Sequence, residues 1–149
     1  MASPNVELVR RSYEYFLERR EVPARAYHPD FVWDMSTFEG WPERQVYEGA
    51  AGARAFLSDW ISQWDNWDLQ VRQVLDAGDR VVGILHQRGE SKTTGARGDM
   101  DFAQVWTVHE GQLLRMEMYA DVGEALAQAG LGAAEADQRE PDTTRRSAS

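Results

Sequence analysis

The sequence contains no cysteine, and this absence excludes disulfides, thiolate nucleophiles, zinc–thiolate sites and iron–sulfur clusters. It also lacks a long hydrophobic run: no apolar stretch approaches the roughly 18 residues of a membrane-spanning helix, and no signal-peptide core is evident. Positive charge is scarce, since 16 Lys and Arg face 25 Asp and Glu for a net charge of −9. We therefore expect a soluble, cytoplasmic protein with no nucleic-acid or membrane partner.

Aromatic residues, by contrast, are plentiful: the 149 residues include six Trp, five Tyr and five Phe. A chain of this length fits one domain around a single core. The aromatic surface exceeds what such a core requires, and lining a ligand cavity is one use for it. We expect the domain to occupy residues 1–131, because the small, charged and polar composition of 132–149 predicts a disordered tail.

The hydrophobic pattern predicts helices first and then a run of strands. Ser3 and Pro4 are typical of a helix start, and apolar residues then recur at helical spacing. The predicted elements are helices over 3–20, 22–27 and 50–64, strands over 31–35, 67–75, 80–88, 99–108 and 112–120, and a short helix from Asp121. The last four strands follow one another in consecutive hairpins, with tight turns at 76–79 and 109–111 and a longer loop over 89–98, and this order predicts antiparallel pairing. The order indicates an α+β fold: a cone-shaped, curved antiparallel sheet packed on three helices, with a short C-terminal helix.

Four segments, 6–14, 28–33, 76–82 and 105–115, carry a resemblance to a known superfamily. With their order, they make the chain similar to the nuclear transport factor 2-like superfamily, and within it to the branch of SnoaL-like polyketide cyclases and ketosteroid isomerases. The resemblance covers residues 3–131 and implies the cone fold. It leaves the function open, because the superfamily hosts isomerases, cyclases, epoxide hydrolases, dehydratases and non-catalytic binding modules.

The resemblance implies candidate catalytic residues. Ketosteroid isomerases use a first-helix tyrosine and a mid-sheet aspartic acid as an oxyanion hole, and Tyr13 and Asp101 occupy the matching positions. We expect Asp101 to face the cone together with Ala103, Val105 and Thr107. A carboxyl group enclosed there prefers its neutral form and can donate a hydrogen bond to a developing oxyanion.

Two further groups are candidates for moving a proton. The general base of ketosteroid isomerases belongs at the end of the first strand, where this chain has Met35, so Asp34 takes the role only if a bulge intervenes. His86 shares a strand face with Val82 and Ile84 and can shuttle protons if that face lines the cavity. Three scattered histidines without ligand spacing predict no metal site, and acid–base chemistry of this kind needs no cofactor.

The remaining aromatic and methionine side chains predict an apolar lining. The candidates for ligand contact are Trp33, Met35, Phe16, Phe56, Trp60, Trp41, Met116 and Met118. Trp41 lies in a long irregular segment that we expect to form a mouth or lid. Phe102, Gln104 and Trp106 alternate with Asp101 and its neighbours, so we expect them on the outer face of the sheet, covered by a homodimer partner.

These features predict a cyclase- or isomerase-type enzyme that acts on an apolar carbonyl compound, polyketide- or steroid-like, by cofactor-independent acid–base chemistry. The alternative is a non-catalytic ligand-binding or assembly module, favoured by Met35 and Met118, which stand where related enzymes carry acids. Epoxide hydrolysis is disfavoured for the same reason, since its last-strand carboxylate is replaced by Met118. The two main interpretations differ in whether at least two ionisable groups converge inside one cavity.

Overall fold

A computed structural model of the chain describes residues 3–38 and 46–131. Its elements, in chain order, are α1 (Pro4–Arg19), a 3₁₀ turn (Ala24–Ala26), β1 (Tyr27–Asp34), β2 (Val46–Glu48), α2 (Gly49–Ile61), β3 (Trp64–Ala77), β4 (Arg80–Ser91), β5 (Arg97–His109), β6 (Gln112–Tyr119) and α3 (Val122–Gln128). Trp41 and the predicted tail over 132–149 lie outside the described residues. Within those residues, no helix is long and apolar enough to cross a membrane.

The first helix begins where the sequence predicts. The Ser3 side chain accepts a hydrogen bond from the Val6 N–H at 3.1 Å, which caps the helix start. The helix ends at Arg20, which adopts a left-handed backbone with φ 57°. The predicted second helix is only the 3₁₀ turn, because the short stretch between Pro23 and Tyr27 allows no more than one turn.

The six strands form one open sheet in the order β2-β1-β6-β5-β4-β3. Strands β3 to β6 pair antiparallel with their neighbours, as the order of consecutive hairpins predicts. β1 pairs antiparallel with β2 but parallel with β6, so the sheet is mixed rather than wholly antiparallel. The α+β fold and the short C-terminal helix are confirmed. The parallel pair escapes sequence analysis because no turn joins two strands so distant in the chain.

Helices pack on both faces of the sheet, and the buried side chains differ in size between the two faces. Its inner face packs against α1 and α2 around large aromatic side chains, and part of its outer face packs against α3 around small ones such as Ala103 and Val105. Phe102, Gln104 and Trp106 face inward and are 3%, 5% and 3% exposed. The predicted dimer interface on these three residues is therefore wrong, because their own helices already cover them. Homodimer formation itself stays a prediction.

Candidate ligand-binding cavity

A cavity lies between α1, α2 and the inner face of the sheet. Its aromatic lining consists of Tyr13, Phe16, Tyr27, Trp33, Phe56, Trp60, Trp67, Phe102 and Trp106. Measured as space for the centres of water-sized molecules, its volume is about 50 Å³. That space accommodates a few waters or one small organic group. A ligand with several rings therefore fits only by extending out of the interior.

The structure gathers most of the predicted ligand contacts at this cavity. Phe16, Trp33, Phe56, Trp60 and Met118 line it together with Tyr13. Met35 and Met116 are completely buried in the same hydrophobic cluster without forming part of the lining. All of these residues lie on apolar faces that the sequence pattern indicates. Large apolar side chains on such faces pack where water is excluded.

A hydrogen-bonded chain of three side chains fixes the polar part of the lining. The Trp106 indole N–H donates to the Tyr13 hydroxyl oxygen at 2.8 Å, and the Tyr13 hydroxyl donates to Gln104 Oε1 at 2.8 Å. Gln104 Nε2 then lies 3.8 Å from the Met118 sulfur, a weak acceptor. Burial raises the pKa of Tyr13, because a phenolate would lose its hydration there. Tyr13 is therefore a neutral hydroxyl at ordinary pH.

Gln87 organises a second polar group in the same core. The indole N–H groups of Trp60 and Trp67 both donate to Gln87 Oε1, at 2.7 and 3.0 Å. An indole nitrogen only donates, so the atom between the two rings has to be the amide oxygen. Gln87 Nε2 and Trp33 Nε1 are buried without a hydrogen-bond partner among the described residues. Both atoms are N–H donors, and of the two residues only Trp33 lines the cavity.

Gly83 is a site residue that sequence analysis overlooks. It lies on the inner face of β4, and a Cβ atom built there would stand 2.0 Å from the Tyr13 hydroxyl oxygen. Only glycine therefore lets the phenol approach the sheet closely enough to reach Gln104. An isolated glycine inside a predicted strand is a recognised sign of such an approach, so the signal was present in the sequence.

The structure places Asp101 and His86 on the outer face of the sheet. They face each other across β4 and β5, with His86 Nδ1 2.6 Å from Asp101 Oδ1, and the Asp101 side chain is 65% exposed. The expectation that these two side chains point into the cavity is wrong. Because side chains alternate along a strand, the inward orientation of Phe102 and Gln104 forces Asp101 outward.

Asp34 also lies away from the cavity. It follows the inward-facing Trp33, forms an ion pair with Arg115 on β6 and accepts a hydrogen bond from the Ser36 N–H at 2.8 Å. The bulge that an inward Asp34 requires is absent here, since the β1–β6 pairing is regular from Val32 to Asp34. Of the four predicted catalytic residues, only Tyr13 therefore lines the cavity.

The described lining offers few groups for proton transfer. It contains hydroxyls on Ser12, Tyr13 and Tyr27 and the amide of Gln104, but none of the described lining residues carries a carboxylate, imidazole, amine or guanidinium. Burial raises the pKa of Tyr27 as well as that of Tyr13. Among residues 3–38 and 46–131, no group of three His, Asp or Glu side chains is arranged to hold a metal ion. The arrangement can bind and orient a ligand by hydrogen bonds and ring contacts.

A second depression adjoins the cavity on the helix side. This groove, between the end of α1 and α2, has a volume of about 380 Å³ by the same measure. Phe16, Val22 and Leu57 line both spaces, so these three side chains separate the groove from the interior. The groove also carries Arg20 and Arg54.

An open, mixed six-stranded sheet packed on helices, with an aromatic cavity between them, is consistent with the nuclear transport factor 2-like fold. The sequence profile described as SnoaL-like domain matches residues 9–116, and the chain belongs to this family. The fold and family expected from the sequence are thereby confirmed. Proteins of this fold are commonly polyketide cyclases or isomerases.

Solved structures support the same assignment. TerC, co-crystallised with polyporic acid, is 27% identical with a TM-score of 0.66, over 86% of this chain and 99% of TerC. A nuclear transport factor 2-like protein from Burkholderia thailandensis is 25% identical with a TM-score of 0.66, over 87% and 98%. A candidate SnoaL-like polyketide cyclase from Jannaschia sp. CCS1 is 23% identical with a TM-score of 0.65, over 85% and 90%, and this likeness concerns the fold alone. No curated protein matches the chain significantly.

Proposed function

We propose that this chain binds a small, planar, apolar carbonyl compound in the interior cavity, without acid–base catalysis by Asp101, His86 or Asp34. One observation carries the proposal: the only ionisable side chains in the described lining are two tyrosines, and burial raises the pKa of both. Enolisation of a carbonyl compound needs a base within hydrogen-bond reach of the substrate, and neither neutral tyrosine is one.

The ring arrangement supports a planar ligand. Trp33 stacks on Phe56 with ring centroids 4.7 Å apart, and Phe56 stacks on Trp60 at 5.7 Å. Flat aromatic surfaces of this kind recognise flat apolar molecules through close contact and water exclusion. The buried indole N–H of Trp33, a lining residue, supports a ligand with an acceptor oxygen, because a carbonyl oxygen would relieve its unsatisfied state. The 27% identity to TerC, which was co-crystallised with polyporic acid, supports an organic ligand at this fold.

A cyclase or isomerase remains the second candidate, favoured by the family and by Tyr13. Tyr13 lines the cavity as a neutral phenol, and its hydroxyl could donate to an enolate oxygen only in place of its hydrogen bond to Gln104. This chemistry also requires a general base, and none of the lining residues within 3–38 and 46–131 supplies one. A binding role is therefore better supported, because it requires no general base.

Titration with 2-tetralone, a neutral enolisable ketone of two fused rings, separates the two candidates. We expect saturable one-site binding by calorimetry, and no acceleration of deuterium exchange at the carbon next to the carbonyl when the complex is followed by proton NMR in D₂O. Absence of binding would overturn the proposal. Binding with exchange that Tyr13→Phe abolishes would replace it with the enzymatic function.

Two variants on β5 provide the matched comparison. Gln104→Leu keeps the side-chain size but removes the amide beside Tyr13, so we expect affinity for 2-tetralone to fall about five- to tenfold. Asp101→Asn changes a residue three positions away on the opposite face, and we expect affinity to remain within about twofold of the wild type. Equal losses in both variants would contradict the proposed binding site.

A further inference from the structure

Two arginines line the groove that adjoins the cavity. Arg20 and Arg54 line the groove between α1 and α2, and neither forms an ion pair within the described part of the chain. Glu21 lines the same groove, so the charges of Arg20, Arg54 and Glu21 sum to +1. A locally positive groove is unexpected in a protein whose net charge is −9.

Aromatic rings hold the Arg20 guanidinium at the edge of the interior. Its central carbon lies 5.7 Å from the centroid of the Phe16 ring and 5.2 Å from that of Trp67, and both rings line the cavity. Cation–π contacts of this kind restrain a guanidinium while leaving its N–H groups free for an anion in the ring plane. The charge therefore lies where a ligand leaving the cavity would meet it.

We infer that the ligand of this site is an amphipathic monoanion, a planar aromatic carboxylate, which inserts a ring into the cavity and extends into the groove, where its carboxylate binds Arg20 and Arg54. This inference rests on the proposed binding function and adds the charge of the ligand. The planar fork of a guanidinium matches the two oxygens of a carboxylate, and the net charge of the groove suits one negative charge. Phe16, Val22 and Leu57, which border both spaces, contact the ligand where it crosses from one to the other.

The test compares 2-naphthoate with 2-naphthamide, two ligands of the same shape that differ in charge. By calorimetry we expect the wild type to bind the carboxylate about three- to tenfold more tightly than the amide at low salt. In Arg20→Gln or Arg54→Gln this preference falls toward one, because the carboxylate loses more affinity than the amide does. Raising the salt concentration weakens binding of the carboxylate alone. Arg20→Lys, which keeps the charge, retains part of the preference.

Arg88→Gln is the control, because it removes one positive charge from the opposite face of the sheet, where Arg88 pairs with Asp68. Its carboxylate preference should equal that of the wild type. Equal affinity of the wild type for the two ligands, or an equal loss of preference in Arg88→Gln, would overturn the inference while leaving the binding function intact. Failure of both ligands and of 2-tetralone to bind would overturn the binding function and this inference together.

Discussion

The position of the Tyr13 hydroxyl depends on the absence of a side chain at Gly83. The phenol reaches across the inner face of β4 to Gln104, and its oxygen occupies the space where a Cβ atom would be. This contact couples the conformational freedom of one residue to the hydrogen bonds of two others. At the residue scale, the hydrogen bonds of Tyr13 therefore depend on the absence of a Cβ atom at Gly83.

Gly83→Ala is expected to destabilise the protein by about 2–4 kcal/mol, because the Tyr13 ring has to move and its buried hydrogen bonds are lost. Urea denaturation measures the free energy of unfolding. In a Tyr13→Phe background the loss of stability caused by Gly83→Ala should be smaller. The hydroxyl oxygen nearest to the new methyl group, and the two hydrogen bonds that it makes, are already absent there. Gly98→Ala is the control, because its nearest contact is 3.1 Å, to the rim of the Trp64 ring. Additive costs for the Gly83 and Tyr13 changes would contradict the proposed coupling.

At the scale of an element, β5 shows what can be predicted from sequence and what cannot. Its existence and its neighbours follow from alternation and the order of consecutive hairpins. Its orientation was predicted from the resemblance, which assigned Asp101 to the cavity. Both faces contain apolar residues, so alternation alone leaves the choice between them open. Side-chain volume decides it, because Phe102 and Trp106 fill a wide space under two helices, while Ala103 and Val105 fit the narrow space under α3.

The orientation of β5 can be tested directly, because the chain has no cysteine of its own. Single-cysteine variants at Asp99 and Asp101 should react with a thiol reagent at the rate of an exposed thiol. Variants at Phe102 and Gln104 should react about a hundredfold more slowly, since those positions are buried in the folded protein. Rates measured in urea provide the control for intrinsic reactivity. Fast reaction at Gln104 combined with protection at Asp101 would reverse the orientation described above.

At the scale of the whole molecule, buried phenols link stability to alkaline pH. Burial raises the pKa of Tyr13, Tyr27 and Tyr119 above the 10.0 of a free tyrosine. Above pH 10 the unfolded chain loses these protons and the folded chain keeps them. Their contribution to stability is thus fully present below pH 10 and is lost as the pH rises further. The sequence contains the tyrosines, but only the packing of helices on the sheet determines which of them are buried.

We expect the free energy of unfolding to fall by about 1.4 kcal/mol per pH unit for each of Tyr13 and Tyr27 above pH 10. Urea denaturation between pH 9 and 11.5 measures the slope, to which Tyr119 also contributes, while the single lysine of the chain limits other contributions. Tyr13→Phe should reduce the slope. An equal slope in the wild type and in Tyr13→Phe would contradict the burial of a neutral phenol at position 13.

The parallel pairing of β1 with β6 has a consequence for how the protein is made. β1 and β2 pair only with each other until β6 is available, and β6 lies at residues 112–119. A chain emerging from the ribosome therefore carries an unpaired strand edge and the aromatic side chains of β1 for most of its synthesis. The cavity closes only when almost the whole domain has emerged, so translation pauses between β2 and β6 lengthen the period in which these surfaces are open to chaperones.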